Sequence, residues 1–125
     1  MGKTVFLIVL GWCMLSCYSV NRDCDSFHAG TFEFTNVING NLTTSTFIRD
    51  SLYEVEIFNK IKDTASIRWV NNCEFILTAL HPKSNQEKKP IRIRIIETDA
   101  SGYFFEYGLV GDSKNTQRGY AQKIK

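Results

Sequence analysis

Helical periodicity is what this chain lacks most clearly: beyond residue 17 no segment repeats its apolar residues at the spacing of an amphipathic helix. Helical bundles and alternating strand–helix folds are thereby excluded. No internal repeat and no low-complexity tract appears, and only two prolines, Pro82 and Pro90, interrupt the chain. Excess charge is missing too. Lys and Arg number 15 against 13 Asp and Glu, and a net charge of +2 is too small to make a nucleic-acid-binding surface. Cys24, His28, Cys73 and His81 have none of the tight C-x-x-C or H-x-x-x-H spacing of zinc sites. Gly2-Lys3-Thr4 copies the tail of a phosphate-binding loop without its upstream glycine. No positioned nucleophile, base or metal set emerges, so neither catalysis nor a cofactor is expected.

A run long enough to cross a bilayer, ~20 apolar residues, is also absent, and what replaces it is informative. Met1-Gly2-Lys3 carries one positive charge and precedes Val5 to Leu10 and Trp12 to Leu15, which match the ~7–15 residues of a signal-peptide core. From Tyr18 the chain turns polar. Met14-Leu15-Ser16-Cys17 resembles the lipobox of bacterial lipoproteins, where a small residue precedes the cysteine that is cleaved and lipidated. A cysteine suits that role because its thiolate accepts a diacylglycerol as a thioether, and several acyl chains hold a protein on a membrane where one is marginal. The expected organisation is a signal peptide over 1–16, a lipidated tether and approach segment over 17–29 with Cys17 as the anchor, and a β-domain over 30–125.

Export changes what the remaining cysteines can do, because an oxidising envelope preserves disulfides. With Cys13 in the signal and Cys17 lipidated, Cys24 and Cys73 are left as a pair. A bridge is the leading expectation, and it would be worth about 4 kcal/mol in the chain-entropy model. Two buried free thiols are the alternative, and a metal site with His28 and His81 is a weaker one.

Past Cys24 the pattern is strand after strand. Residues 31–35 put Phe32 and Phe34 on one face, Asn39-Gly40 is a hairpin signal, and 43–49 returns. Residues 52–57 alternate, with Tyr53, Val55 and Ile57 read as inward and Glu54 and Glu56 as solvated. Residues 60–63 read as a turn, 65–70 offer Ile67 and Trp69 inward, and 73–78 follow. Pro82 and Pro90 bound a polar connection because proline lacks the N–H a ladder needs. Residues 91–95 set three isoleucines in and two arginines out, 103–110 place Tyr103, Phe105, Tyr107 and Leu109 together, and 116–124 supply a last strand. About eight short strands in a 43% hydrophobic chain of 125 residues predict one small all-β domain. An antiparallel meander closed into a lipocalin-like barrel removes the sheet edges, and a two-sheet sandwich is the alternative.

Two groups of side chains are candidates for binding. Phe32, Phe34, Tyr53, Trp69, Phe75, Phe105 and Tyr107 are assigned to inner faces, either filling the core or lining a ligand pocket. Lys83, Lys88, Lys89, Arg92 and Arg94 form a basic stretch that either binds a partner or merely protects a strand edge. Glu54 and Glu56 are set aside as a solvated face, and His81 as a loop residue.

The segments SCYSVNRDC, AGTFEF, TSTFIRDSL, ASIRWVNNCEFIL, LHPKSNQEKKPIRIRI and VGD together resemble a group of small, uncharacterised lipoproteins of Gram-negative envelopes. Cys17, Cys24, Trp69 and Cys73 match that group's pattern. Some of its members carry the label DNA topoisomerase IV, for which this short chain has neither a breakage-reunion tyrosine context nor an ATPase loop. The resemblance implies a place, the bacterial cell envelope, and supplies no catalytic residues. Tyr18 after the anchor fits sorting to the outer membrane, facing the periplasm. The expectation is a monomeric, non-enzymatic, lipid-anchored protein with no nucleic-acid partner, binding a small apolar ligand or an envelope protein. The competing expectation is an interaction module, such as an assembly accessory or an inhibitor of an envelope-acting enzyme, working through residues 81–90.

Overall fold

The structure, a computed structural model, describes residues 22–125; Cys17 and the signal segment lie outside the described residues. Eight strands form a closed antiparallel barrel in which each strand pairs with its neighbour in sequence and β8 returns to β1. They are β1 (Gly30–Ile38), β2 (Asn41–Arg49), β3 (Tyr53–Phe58), β4 (Ile61–Asn71), β5 (Glu74–Ala79), β6 (Ile91–Thr98), β7 (Gly102–Leu109) and β8 (Gln117–Lys123). Among the described residues no helix is long and apolar enough to cross a membrane. The barrel predicted from period-2 alternation is the observed fold.

The turns explain the meander. Asn39 and Gly40 both take positive φ, as a tight hairpin with the right twist requires. Asn59 and Lys60 do the same between β3 and β4, with φ of 49° and 65°. A lysine in that region carries no glycine signal. The reading of 60–63 as a turn is therefore corrected: β4 begins at Ile61, and Lys62 and Asp63 belong to the strand.

One end of the barrel is plugged. Before β1 a single 3₁₀ turn, Asp25–Phe27, places Phe27 over the end, against Phe32 and Tyr103 with ring centroids 6.4 and 5.4 Å away. Cys24 is buried beside it and bonded to Cys73 in the turn just before β5. The approach segment is further fixed to β6, because Arg22 donates to the Ile96 carbonyl and the Asp23 amide donates to Thr98 Oγ1. Bulges in β4 near Asn71 and in β6 near Glu97 lie at this same end, where added bend lets strands curve round the plug. The core of Cys24, Phe27, Phe32, Ile95, Tyr103, Phe105 and Ala121 fills this half of the barrel. Gly119 makes room within it, since a Cβ there would lie 2.5 Å from the Phe34 ring and 2.9 Å from the Phe105 ring.

The other end is open. There β1 pairs with β8 only over Phe32–Phe34, and β2 pairs with β3 only from Thr46 onward. Residues 35–44 consequently project as a two-stranded ribbon with Val37, Ile38 and Leu42 exposed.

Candidate functional site

The register fixes which side chains enter the barrel. Phe32 faces Phe47, Arg49 faces Glu54, and Phe47 faces Glu56 across successive pairs. Since Phe32 is wholly buried inside, parity carries Phe47, Arg49, Glu54 and Glu56 inside as well. The assignment of β3 is therefore corrected in both directions. Tyr53 is 45% exposed on the outer surface and Val55 and Ile57 share its face, whereas Glu54 is 4% exposed within.

Arg49 is the reason carboxylates are tolerated there. Its Nε donates to Glu54 Oε1 at 2.8 Å, its Nη1 to the Phe27 carbonyl at 2.8 Å and its Nη2 to the Tyr103 hydroxyl at 2.8 Å. The guanidinium carbon lies 4.5 Å from the Phe32 ring centroid and 4.6 Å from that of Phe75, in the cation–π range. Burial works against the Arg49 charge, but Tyr103 and Glu54 more than compensate and its pKa is raised. Burial likewise raises the Tyr103 phenol, against the pull of Arg49. This cluster forms the floor of the open half.

Above the floor lies a cavity of about 250 Å³ whose lining includes Phe34, Phe47, Glu54, Glu56, Leu77, Ile93, Phe105 and Tyr107. It meets a wider mouth of about 410 Å³, bordered by Lys62, Asp63, His81, Lys83, Glu87 and Lys89, with Phe47, Glu54, Glu56, Leu77 and Ile91 common to both. The inner volume lies just under the ~300–1,000 Å³ of drug-sized pockets, so it suits a small molecule. Glu56 is pushed above the usual carboxylate range, first by burial and then by the negative charges of Asp63 and Glu54. Among the described residues no group of three or more His, Cys, Asp or Glu is placed to hold a metal ion.

Comparison with family models, with curated proteins and with solved structures returns no match. The site therefore rests on its own geometry. Of the aromatic candidates, Phe34, Phe105 and Tyr107 line the cavity, Phe32 and Phe75 are fully buried in its floor, and Trp69 packs at the plugged end under His28, ring centroids 3.7 Å apart. The His28 Nε2 donates to the Asn72 carbonyl at 2.7 Å, which makes this histidine a cover for Trp69.

The basic stretch does not form one surface. Arg92 pairs with Glu74, and Arg94 with Glu106 at 3.6 Å, on the outside of the barrel. Lys83 and Lys89 border the mouth, and Lys88 is exposed in the connecting loop. Arg49 and Phe47 are site residues that sequence reasoning missed, and Glu54 and Glu56, read as a solvated face, line the cavity instead. The available signal was spacing: Phe47 and Arg49 share a parity, and an inward arginine needs an inward acid on the strand beside it.

Proposed function

We propose that this chain is a non-enzymatic, lipid-anchored protein of the bacterial envelope whose barrel takes up a small ligand with an apolar body at its open end. The observation that carries the reading is the cavity of about 250 Å³ above a fully buried floor, walled by Phe34, Phe47, Leu77, Ile93 and Phe105. A barrel of this strand number either fills itself with side chains or holds one small ligand, and here the plugged half does the first and the open half has space for the second. The lipobox-like Met14-Leu15-Ser16-Cys17 supports anchoring. Since the approach segment enters at the plugged end, such an anchor sets the mouth away from the membrane.

The test has two parts. Intact mass of protein extracted from its native envelope should match a chain starting at Cys17 plus acyl groups and rise by about two hydrogens on reduction; a full-length unlipidated mass would remove the envelope reading. Purified protein should bind an apolar fluorescent probe, and Leu77→Trp, which fills the cavity, should abolish that uptake. Equal uptake by the filled variant would count against the cavity.

A further inference from the structure

The open cavity is chemically two-sided. One side is aromatic, with Phe34, Phe47 and Phe105, and the other is the inner face of β3 with Glu54 and Glu56. Asp63 stands opposite Glu56 across the β3–β4 pair and borders the mouth.

The acids are incompletely matched. Glu54 Oε1 accepts from Arg49 Nε at 2.8 Å and lies 2.7 Å from its Nη2, which leaves Glu54 Oε2 to face the cavity that this residue lines; it is not one of the sealed side-chain atoms without a partner among the described residues. Glu56, half-buried, has neither an ion pair nor a hydrogen bond among the described residues, and the charges it feels from Asp63 and Glu54 are both negative. The Arg49 charge is committed to Glu54, Tyr103 and the Phe27 carbonyl. Lys62, Lys83 and Lys89 border the wider mouth and do not line the inner cavity. The inner cavity thus sets two carboxylates beside ring faces that attract cations; of its other polar lining, Arg49 and Tyr103 are bonded to one another, the Tyr107 hydroxyl donates to Gln117, and Ser45 adds a neutral hydroxyl.

We propose that the cavity selects a small organic cation, an amine carried on an apolar or aromatic body, with its N–H groups donating to Glu54 Oε2 and the Glu56 carboxylate and its body against Phe34, Phe47 and Phe105. This rests on the reading of the barrel as a ligand cup and narrows it from apolar ligands in general to cationic ones. An ammonium supplies the donors the acids lack, and charge-assisted bonds are the stronger kind. A carboxylate ligand would add a like charge to the same wall.

Three probes with one ring system isolate the charge: tryptamine, indole and indole-3-acetate. Each is titrated calorimetrically into the full chain in detergent, and into its Glu56→Gln and Leu77→Trp variants, with folding checked by thermal melting. Tryptamine should bind roughly tenfold or more tighter than indole, with indole-3-acetate weakest. Glu56→Gln should bring tryptamine close to indole and leave indole unchanged, and Leu77→Trp should abolish both. Indole or indole-3-acetate binding as tightly as tryptamine overturns the inference while leaving the ligand cup standing. So does an unchanged tryptamine affinity in Glu56→Gln, and tryptamine binding to the filled variant places the contact outside the cavity. If none of the probes and no apolar dye binds, the ligand-cup reading falls and takes this inference with it.

Discussion

The two ends of the barrel treat polar groups in opposite ways. At the plugged end Arg49 has Glu54, the Phe27 carbonyl and the Tyr103 hydroxyl as partners, and two aromatic rings cover its guanidinium. At the open end Glu56 sits half-buried between Asp63 and Glu54, with burial and like charge both raising its pKa. Matched polar groups hold an end rigidly together, while unmatched ones cost stability and leave chemistry available to a ligand. Stability and recognition are thus divided along the barrel axis.

Perturbing each end sharpens that division. The largest loss is expected for Arg49→Met, which leaves Glu54 buried without its cation and should cost about 3–5 kcal/mol. Adding Glu54→Met to the same chain should recover much of it, and urea denaturation of the single and double variants measures both. Loss of the bridge, by Cys24→Ala with Cys73→Ala, frees residues 49 apart in sequence and should cost roughly 2–5 kcal/mol, read as a fall in melting temperature that reductant no longer deepens. Gly119→Val drives a side chain into Phe34 and Phe105 and should cost about 1–3 kcal/mol. If open-end substitutions proved as damaging as these, the division between the ends would fail.

The smallest effect has the opposite sign. The Glu56 carboxyl titrates above its ordinary 4.5, so the folded state binds its proton more tightly than the unfolded chain does. Its burden on the fold is therefore present above the raised value and fades as pH falls toward 4.5. Stability should rise slightly on mild acidification. The trend reverses at lower pH, where Asp50 and Asp99, held down by backbone amides, and Asp112, held down chiefly by the Asn115 side chain, begin to protonate. Glu56→Gln should raise the melting temperature at neutral pH by roughly 2 °C and erase the mildly acidic gain. A pH–stability profile of the two proteins decides it.

What the sequence made legible follows from where apolar residues are forced inward. In β6 the alternation of Ile91, Ile93 and Ile95 with Arg92 and Arg94 has one sensible phase, and the arginines are indeed outside with Glu74 and Glu106. The Cys24–Cys73 pairing could be argued because export and lipidation would use up the other cysteines. In β3 the same rule misled. Tyr53, Val55 and Ile57 form the apolar face, yet the register with β2 turns that face outward, because Arg49 inside needs Glu54 beside it. Alternation shows that a strand has two faces; which one enters the barrel depends on its neighbours' side chains. The Asn59–Lys60 turn was hidden for a related reason, a lysine standing where glycine would have announced positive φ.

Closure has a consequence for how the molecule would come apart. Strands β1 and β2 are matched over all of Gly30–Ile38, but β1 and β8 meet through only Phe32, Glu33 and Phe34. Beyond those pairs, the seam relies on the Thr31 amide donating to the Lys125 carbonyl, the Ile124 amide donating to the Thr31 carbonyl, and Lys123 Nζ donating to the Ser26 carbonyl. Every other strand contact joins sequence neighbours and can form as a local hairpin. The barrel is in effect a zipped strip whose fastening is residues 121–125, and amide exchange along that seam would report the first opening of the fold.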